Sequence, residues 1–151
     1  MAVDTFKSAS IATALLALTT AVRADTVVSF DITPTAAQRA AIQHAAASDF
    51  ADVQQVAGRK LEYAVAQADL NDDGRPDLLV QYLDAYFCGS GGCSTVLVMA
   101  TPQGYADKAL PLQVLVQPGE KLTVLSTSQK GMRDLRYESA YISHWTGKAY
   151  Q

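Results

Sequence analysis

Hydrophobic and polar residues follow a helical pattern in the first part of the chain and a strand pattern in the rest. Residues 26–32 (TVVSFDI) form a short apolar stretch that predicts a strand. The segment 33–48 (TPTAAQRAAIQHAAAS) predicts an alanine-rich helix, which Thr35 and Gln38 would begin as a capping box. A second helical segment is predicted over residues 49–57, where apolar residues recur three apart before a glycine.

Beyond residue 60 the apolar residues alternate with polar ones or form short runs, which is typical of β-strands. Turns rich in Gly, Pro, Asp and Asn separate six such segments. Their sequences are LEYAVAQADL, DLLVQYL, STVLVMA, LQVLVQ, KLTVLST and LRYESAYISHW. In the last one, a single long strand would place Leu135, Tyr137, Tyr141 and Trp145 on one face. The pattern predicts an α+β fold in which β structure dominates, with an N-terminal helix followed by an antiparallel β meander.

The N-terminal segment has the features of a signal peptide. Lys7 precedes an uncharged run over residues 8–22, and the sequence VRA that ends at Ala24 fits a small-residue cleavage site. The alternatives are a buried helix or a membrane anchor, but the run is shorter than the ~20 apolar residues of a membrane span. We therefore expect a signal peptide over 1–24 and a single globular domain over 25–151, periplasmic or secreted and without membrane insertion after cleavage.

The charge of the predicted mature domain argues against nucleic acid as a partner. Of 12 basic and 15 acidic residues in the chain, cleavage would remove Lys7, Arg23 and Asp4, which leaves 10 and 14 and a net charge near −4. Such a domain lacks the basic surface that nucleic acid requires. The sequence also contains no basic amphipathic stretch of the kind that binds membrane surfaces.

The two cysteines of the chain flank a loop composed only of Gly and Ser. Cys88 and Cys93 enclose the sequence GSGG, and in an oxidising compartment such a pair is expected to form a disulfide. Metal binding is a poorer interpretation, because CxxxxC without further Cys or His cannot fill a tetrahedral site. A redox-active pair would have the spacing CxxC.

The sharpest chemical motif is the sequence DLNDDGRPD over residues 69–77, which we call the acidic loop. Oxygen-bearing side chains stand at positions 1, 3, 5 and 9, a glycine at position 6, and a backbone carbonyl would serve at position 7. This spacing matches the first nine positions of a calcium loop. The predicted ligands of Ca²⁺ are Asp69, Asn71, Asp73, the carbonyl of Arg75, and Asp77.

The acidic loop differs from an EF-hand in two respects. Position 12 is Val80 instead of a bidentate glutamate, and the flanking segments are predicted strands instead of helices. The motif resembles the DxNxDGxxD loops of FG-GAP-like and related strand-loop-strand calcium sites in exported bacterial proteins, a resemblance that implies Ca²⁺ as the cofactor. The competing interpretation is an Asp- and Gly-rich turn without an ion.

Candidate catalytic groups do not form a recognisable motif. His44 and His144 lie outside nucleophile motifs, and Ser90 has no base partner at the sequence level. Asp84 and Glu138 would suit a glycosidase pair, but no pattern brings them together, and solvated strand positions are the simpler expectation. We therefore predict no catalytic residues and a protein that is not an enzyme.

A small-residue loop closed by a disulfide suits insertion into a narrow cleft. Gly and Ser let a backbone approach closely, and a fixed shape lowers the entropy lost on binding. We predict that Tyr86, Gly89, Ser90, Gly91 and Gly92 contact a protein partner.

The segment 86–94, with its SGG core, resembles the inhibitory loop of periplasmic lysozyme inhibitors. Related folds, some with calcium sites, occur among immunity proteins that protect bacteria from peptidoglycan-degrading effectors. The resemblance implies that the partner is a cell-wall hydrolase. It is partial, because Cys93 and Ser94 stand where those inhibitors carry an aromatic residue after the glycines. The alternative function is a calcium-dependent exported structural or surface-binding domain without an enzyme target, and a hydrolase is a third interpretation.

Overall fold

The structure is a computed structural model that describes residues 23–151, so residues 1–22 of the predicted signal peptide lie outside the described range. Within residues 23–151 the chain forms two helices and eleven strands. In chain order these are β1 (Thr26–Val28), α1 (Ala36–Ala45), α2 (Ala47–Ala57), β2 (Tyr63–Ala68), β3 (Asp77–Tyr82), β4 (Cys88–Gly89), β5 (Gly92–Val98), β6 (Ala100–Thr101), β7 (Gly104–Tyr105), β8 (Leu110–Val116), β9 (Leu122–Gln129), β10 (Met132–Arg136) and β11 (Ile142–Ser143).

One terminus of each helix lies where local sequence signals predict it, but the boundary between them differs, because α1 ends at Ala45 and α2 begins at Ala47 instead of Asp49. The Thr35 hydroxyl accepts the backbone N–H of Gln38, and the Gln38 side chain accepts that of Thr35, so the predicted capping box is confirmed. Gly58 ends α2 in the left-handed region, with φ 64°, and donates its N–H to the Gln54 carbonyl. No helix in residues 23–151 is both long and apolar enough to cross a membrane.

The strands form two larger antiparallel sheets and one small hairpin. In the first sheet the order is β2-β3-β5-β4, and β8 pairs with the other edge of β5. The second sheet has the order β1-β9-β10-β11, and β6 pairs only with β7. The α+β, β-dominant class with helices before an antiparallel strand series is confirmed. The strand series, however, leaves the first sheet after β8 and continues in the second.

Strand β3 lies at the centre of three layers. All six of its residues are buried, and their side chains alternate between two hydrophobic clusters. Leu78, Val80 and Tyr82 pack in the cluster under the two helices. Leu79 faces the opposite way and packs in the cluster that includes Leu135 of the second sheet. The layers are therefore helices, first sheet and second sheet.

The predicted long strand through residues 135–145 is wrong. A turn interrupts it after β10, where the Tyr137 N–H bonds to the Tyr141 carbonyl and Ala140 adopts φ 65°. Tyr137 is buried in the core, whereas Tyr141 is 49% exposed, so the aromatic residues do not form one continuous face. The alternation of apolar residues continues through this segment, but a left-handed residue cannot be accommodated in a regular strand.

We expect Leu79→Ala to lower the free energy of unfolding by about 2–5 kcal/mol, because it leaves a cavity between the two sheets. Leu83→Ala is the matched control, since Leu83 is 40% exposed just after β3 and should cost no more than about 0.5 kcal/mol. Denaturant unfolding of both variants measures the difference. Equal losses would contradict the layer arrangement.

Candidate functional site

The two candidate sites lie at opposite ends of the first sheet. The acidic loop joins the end of β2 to the start of β3. The second site is the hairpin of residues 88–93, which we call the stapled hairpin. It precedes the antiparallel pairing of β5 with the far end of β3. Because six strand residues span about 20 Å, a ligand in the acidic loop cannot reach a partner bound at the stapled hairpin.

The stapled hairpin is a two-residue turn closed by the predicted disulfide. Cys88 lies opposite Cys93 in the β4–β5 pair, and their disulfide joins the two strands. Gly89 lies opposite Gly92, which leaves Ser90 and its following glycine as the turn. The disulfide prediction is therefore confirmed. The disulfide and the strand pairing leave only the two turn residues without a paired backbone.

Gly92 seats the stapled hairpin directly on the end of β8. Its φ is 117°, and a Cβ at this position would lie 2.8 Å from the carbonyl carbon and oxygen of Val116. Only glycine fits so close to another backbone. The Gln117 amide adds a hydrogen bond of 3.3 Å to the Ser90 carbonyl. Gly92 is thus buried, while Gly89, Ser90 and Gly91 remain exposed.

Apolar side chains are exposed at the end of the first sheet that carries the tip. Eight large apolar side chains are exposed in the described part of the chain, and three of them belong to this end of the first sheet. These are Leu83 after β3, Tyr86 before β4, and Leu115 near the end of β8. Leu115 is adjacent to the tip, since a Cβ at Gly91 would lie 3.4 Å from its Cδ1. The Tyr86 ring stacks edge-on against Phe87 at 4.9 Å.

An ion pair between half-exposed Arg59 and buried Asp84 fixes the connection that carries Tyr86. The Asp84 carboxylate accepts two hydrogen bonds from Arg59, of 2.9 and 2.8 Å, and a third from the Tyr86 N–H. The hydrogen bonds from Arg59 hold the pKa of Asp84 below its usual value. Asp84 is buried, so the expectation of a solvated strand residue is wrong. It does not pair with Glu138, whose carboxylate accepts the Lys121 N–H.

The two histidines each contact an aspartate in separate parts of the fold. His44 Nε2 lies 3.2 Å from Asp107 Oδ1 at the surface. His144 Nδ1 lies 2.9 Å from Asp134 Oδ1, while the other oxygen of this buried carboxylate accepts the Thr127 hydroxyl at 2.6 Å. Neither contact involves a residue of the stapled hairpin or of the acidic loop.

The acidic loop wraps its backbone around one carboxylate. Asp69 accepts the N–H of Asp73 at 3.1 Å and that of Gly74 at 2.8 Å. The Asp73 carboxylate in turn accepts the Arg75 N–H at 2.9 Å. Gly74 permits the reversal with φ 80°. The first, third and fifth positions of the motif are thereby held in one compact turn, because Asn71 also bonds to Asp73 at 3.0 Å.

Two arginines contact carboxylates of the acidic loop, a role that the sequence analysis overlooked, and one of them, Arg23, would be removed by cleavage after Ala24. Arg75 Nη2 lies 2.8 Å from Asp73 Oδ2, and Arg23 Nη1 lies 2.7 Å from Asp72 Oδ2. Partial burial opposes ionisation of Asp73, but hydrogen bonds from the Arg75 backbone and from Asn71 outweigh it and lower the pKa of Asp73. Asp72 and Asp73 therefore have cationic partners, whereas Asp69 and Asp77 accept backbone N–H groups. The arginine at position 7 of the motif could have predicted this charge pairing from the sequence.

Asp77 lies beneath the acidic loop and joins it to the neighbouring chain. The side chain is fully buried, and its two oxygens accept the N–H groups of Leu70 at 3.0 Å and Ala100 at 2.7 Å. Burial raises the pKa of Asp77, the opposite of the shift at Asp73. No three His, Cys, Asp or Glu side chains within residues 23–151 form a group that could hold a metal ion.

Comparison with protein family models, curated proteins and solved structures finds no match to this chain.

We expect Gly92→Ala to destabilise the protein by at least about 2 kcal/mol, because the added methyl group meets the Val116 backbone at a strained φ. Gly89→Ala is the matched control in the paired position, where a Cβ meets nothing within 4 Å. Denaturant unfolding with the disulfide intact measures both. A similar loss in the two variants would show that the stapled hairpin is not seated on β8.

Proposed function

We propose that this protein is an exported inhibitor of a peptidoglycan-degrading enzyme, acting as a lysozyme inhibitor or immunity protein. The stapled hairpin enters the cleft of the enzyme and blocks access of its polysaccharide substrate. The observation that carries the proposal is the tip at residues 89–91, which is narrow, exposed and held by both a disulfide and the end of β8.

The fixed conformation of the stapled hairpin supports this role in energetic terms. Ordering one flexible backbone residue costs about 1–2 kcal/mol. In this chain the disulfide, the Gln117 hydrogen bond and the packing of Gly92 have already fixed the conformation before a partner binds. More of the contact energy is then available as affinity. The tip carries almost no side chain, so its contacts come from the backbone.

The three exposed apolar side chains around the tip supply the remaining contact area. Leu83, Tyr86 and Leu115 would pack against the rim of the cleft once the tip is inserted. Tyrosine is favoured at the centre of protein interfaces, because its ring is large and rigid. Tyr86 is half exposed and is held by the Arg59–Asp84 pair through its own backbone N–H. This tyrosine is the best candidate for the aromatic contact that the stapled hairpin itself lacks.

We further propose that the acidic loop binds Ca²⁺ through Asp69, Asn71, Asp73 and the Arg75 carbonyl. These groups are oxygen donors of the type that Ca²⁺ prefers, held in one short turn. Binding requires the Arg75 guanidinium to release Asp73 and the Asn71 amide to present its oxygen. Asp77, the fifth ligand predicted from the sequence, would support the turn through its two backbone contacts instead of binding the ion, because its side chain is fully buried beneath the loop. Because the loop lies at the end remote from the stapled hairpin, Ca²⁺ would stabilise the fold without touching the partner.

Ca²⁺ should raise the melting temperature relative to chelator, because a ligand that binds only the folded state stabilises it. Asp69→Asn should abolish the increment, whereas Arg75→Met should enlarge it by removing the competing cation. Asp72→Asn is the control, since Asp72 belongs to the acidic loop but is not one of the proposed ligands. Thermal melting with calcium and with chelator checks all four proteins. Identical curves for the wild type would show that the acidic loop is an ion-free turn.

The inhibitor role is tested with purified lysozymes and amidases acting on a suspension of cell walls. We expect the wild-type protein to inhibit at least one of them, and Gly91→Trp to weaken that inhibition at least tenfold. The backbone conformation of Gly91 accepts a side chain, and only the flexible end of Leu115 stands nearby. Ser90→Ala should have little effect, because shape and backbone contacts dominate.

Gln103→Trp is the control for added bulk, because Gln103 is exposed in the β6–β7 turn at the other end of the first sheet. It should inhibit as the wild type does. If no hydrolase is inhibited, the proposed function is wrong. If inhibition survives Gly91→Trp, the interface lies on another surface.

A further inference from the structure

A cavity of about 380 Å³ lies between the helices and the start of β2. Six residues line it: Gln43, Phe50, Gln54, Lys60, Leu61 and Tyr63. Its volume falls within the range of about 300–1,000 Å³ that is usual for small-molecule sites. None of the six belongs to the stapled hairpin or to the acidic loop, so the cavity is independent of the proposed function.

The helix geometry explains why these side chains converge. Phe50 and Gln54 are four residues apart on α2 and therefore share one face of the helix. Gly58 then turns the chain back, so that Lys60 and Tyr63 return along the same helix before β2 begins. Gln43 contributes from α1.

The floor of the cavity is aromatic. The rings of Phe50 and Tyr63 have centroids 5.7 Å apart and an interplanar angle of 80°. Two nearly perpendicular rings form a corner, with the face of one ring and the edge of the other exposed along its two sides. Leu61 is buried beside them. A ligand with a six-membered ring can therefore stack on one aromatic ring while its edge contacts the other.

The polar groups of the cavity are donors that the protein does not use. Within residues 23–151, the side chains of Gln43, Gln54, Lys60 and Tyr63 make no hydrogen bond or ion pair with the rest of the chain. Burial raises the pKa of Tyr63 and keeps its hydroxyl protonated, although the charge of Arg39 acts against this shift. The lining contains one ammonium group and no carboxylate.

We propose that this cavity binds a small carboxylate that carries a six-membered ring, with one face of the ring on the Phe50–Tyr63 corner and the carboxylate at Lys60. The amides of Gln43 and Gln54 donate to the remaining oxygens of the ligand. An acidic sugar and an aromatic acid share this chemistry, since a sugar ring and an aromatic ring both stack on aromatic side chains.

The proposal is tested by titrating the ¹⁵N-labelled protein with glucuronate and with benzoate, alongside their uncharged counterparts glucose and benzyl alcohol. We expect one of the two carboxylates to shift the side-chain amide signals of Gln43 and Gln54 at millimolar concentration. Its uncharged counterpart should shift them at least tenfold more weakly. The carboxylate that binds identifies the ring as a sugar or an aromatic one.

Lys60→Met should weaken the binding of that carboxylate at least tenfold. It should leave the melting temperature unchanged, because Lys60 is exposed. Lys108→Met, at an exposed lysine outside the cavity, is the matched control and should bind as the wild type does. Tyr63→Phe should weaken binding without removing the ring. The proposal is overturned if neither carboxylate shifts the two amides, if charge makes no difference, or if the two lysine variants lose affinity equally. These outcomes are independent of hydrolase inhibition.

Discussion

The complete burial of β3 is the constraint on which the rest of the structure depends. A strand with side chains packed on both faces requires a layer on each side, and the helices and the second sheet provide them. Irregular backbone is thereby displaced to the two ends of the strand, where loops can meet water. The acidic loop occupies one end, and the stapled hairpin the other. The separation of the two candidate sites is thus a consequence of how the core is covered.

The stapled hairpin is bound to this core by short-range contacts. Gln81, on β3 itself, is buried and donates to the carbonyls of Val116 and Gln117. Those two residues form the surface on which Gly92 rests. A hydrogen bond from the central strand therefore supports the backbone beneath the tip. The exposed tip that we assign to partner binding is therefore connected, through Gly92 and the end of β8, to the fully buried central strand.

Local signals in the sequence were sufficient for elements whose causes are local. The capping box of Thr35 and Gln38, the end of α2 at Gly58 and the disulfide of Cys88 and Cys93 all depend on residues a few positions apart. Hydrophobic alternation located most strands for the same reason. These features required no knowledge of distant neighbours.

The features that the sequence did not predict depend on contacts between distant residues. The packing of the two sheets against each other places Leu79 and Leu135 in one hydrophobic cluster, which alternation within one strand cannot show. The need for glycine at position 92 comes from Val116, and the charge pairing of Asp73 depends on the position of the Arg75 guanidinium. The cavity beside Lys60 likewise requires two helices and a strand to be in place.

The two backbone contacts of Asp77 have a consequence for local unfolding. One carboxylate holds the N–H of Leu70 at the start of the acidic loop and the N–H of Ala100 at the start of β6. If either segment moves away, the other loses its support, because a buried carboxylate left with one donor is poorly solvated. We therefore expect the acidic loop and the β6–β7 hairpin, although far apart in sequence, to open together, so that their amide protons share one exchange pathway.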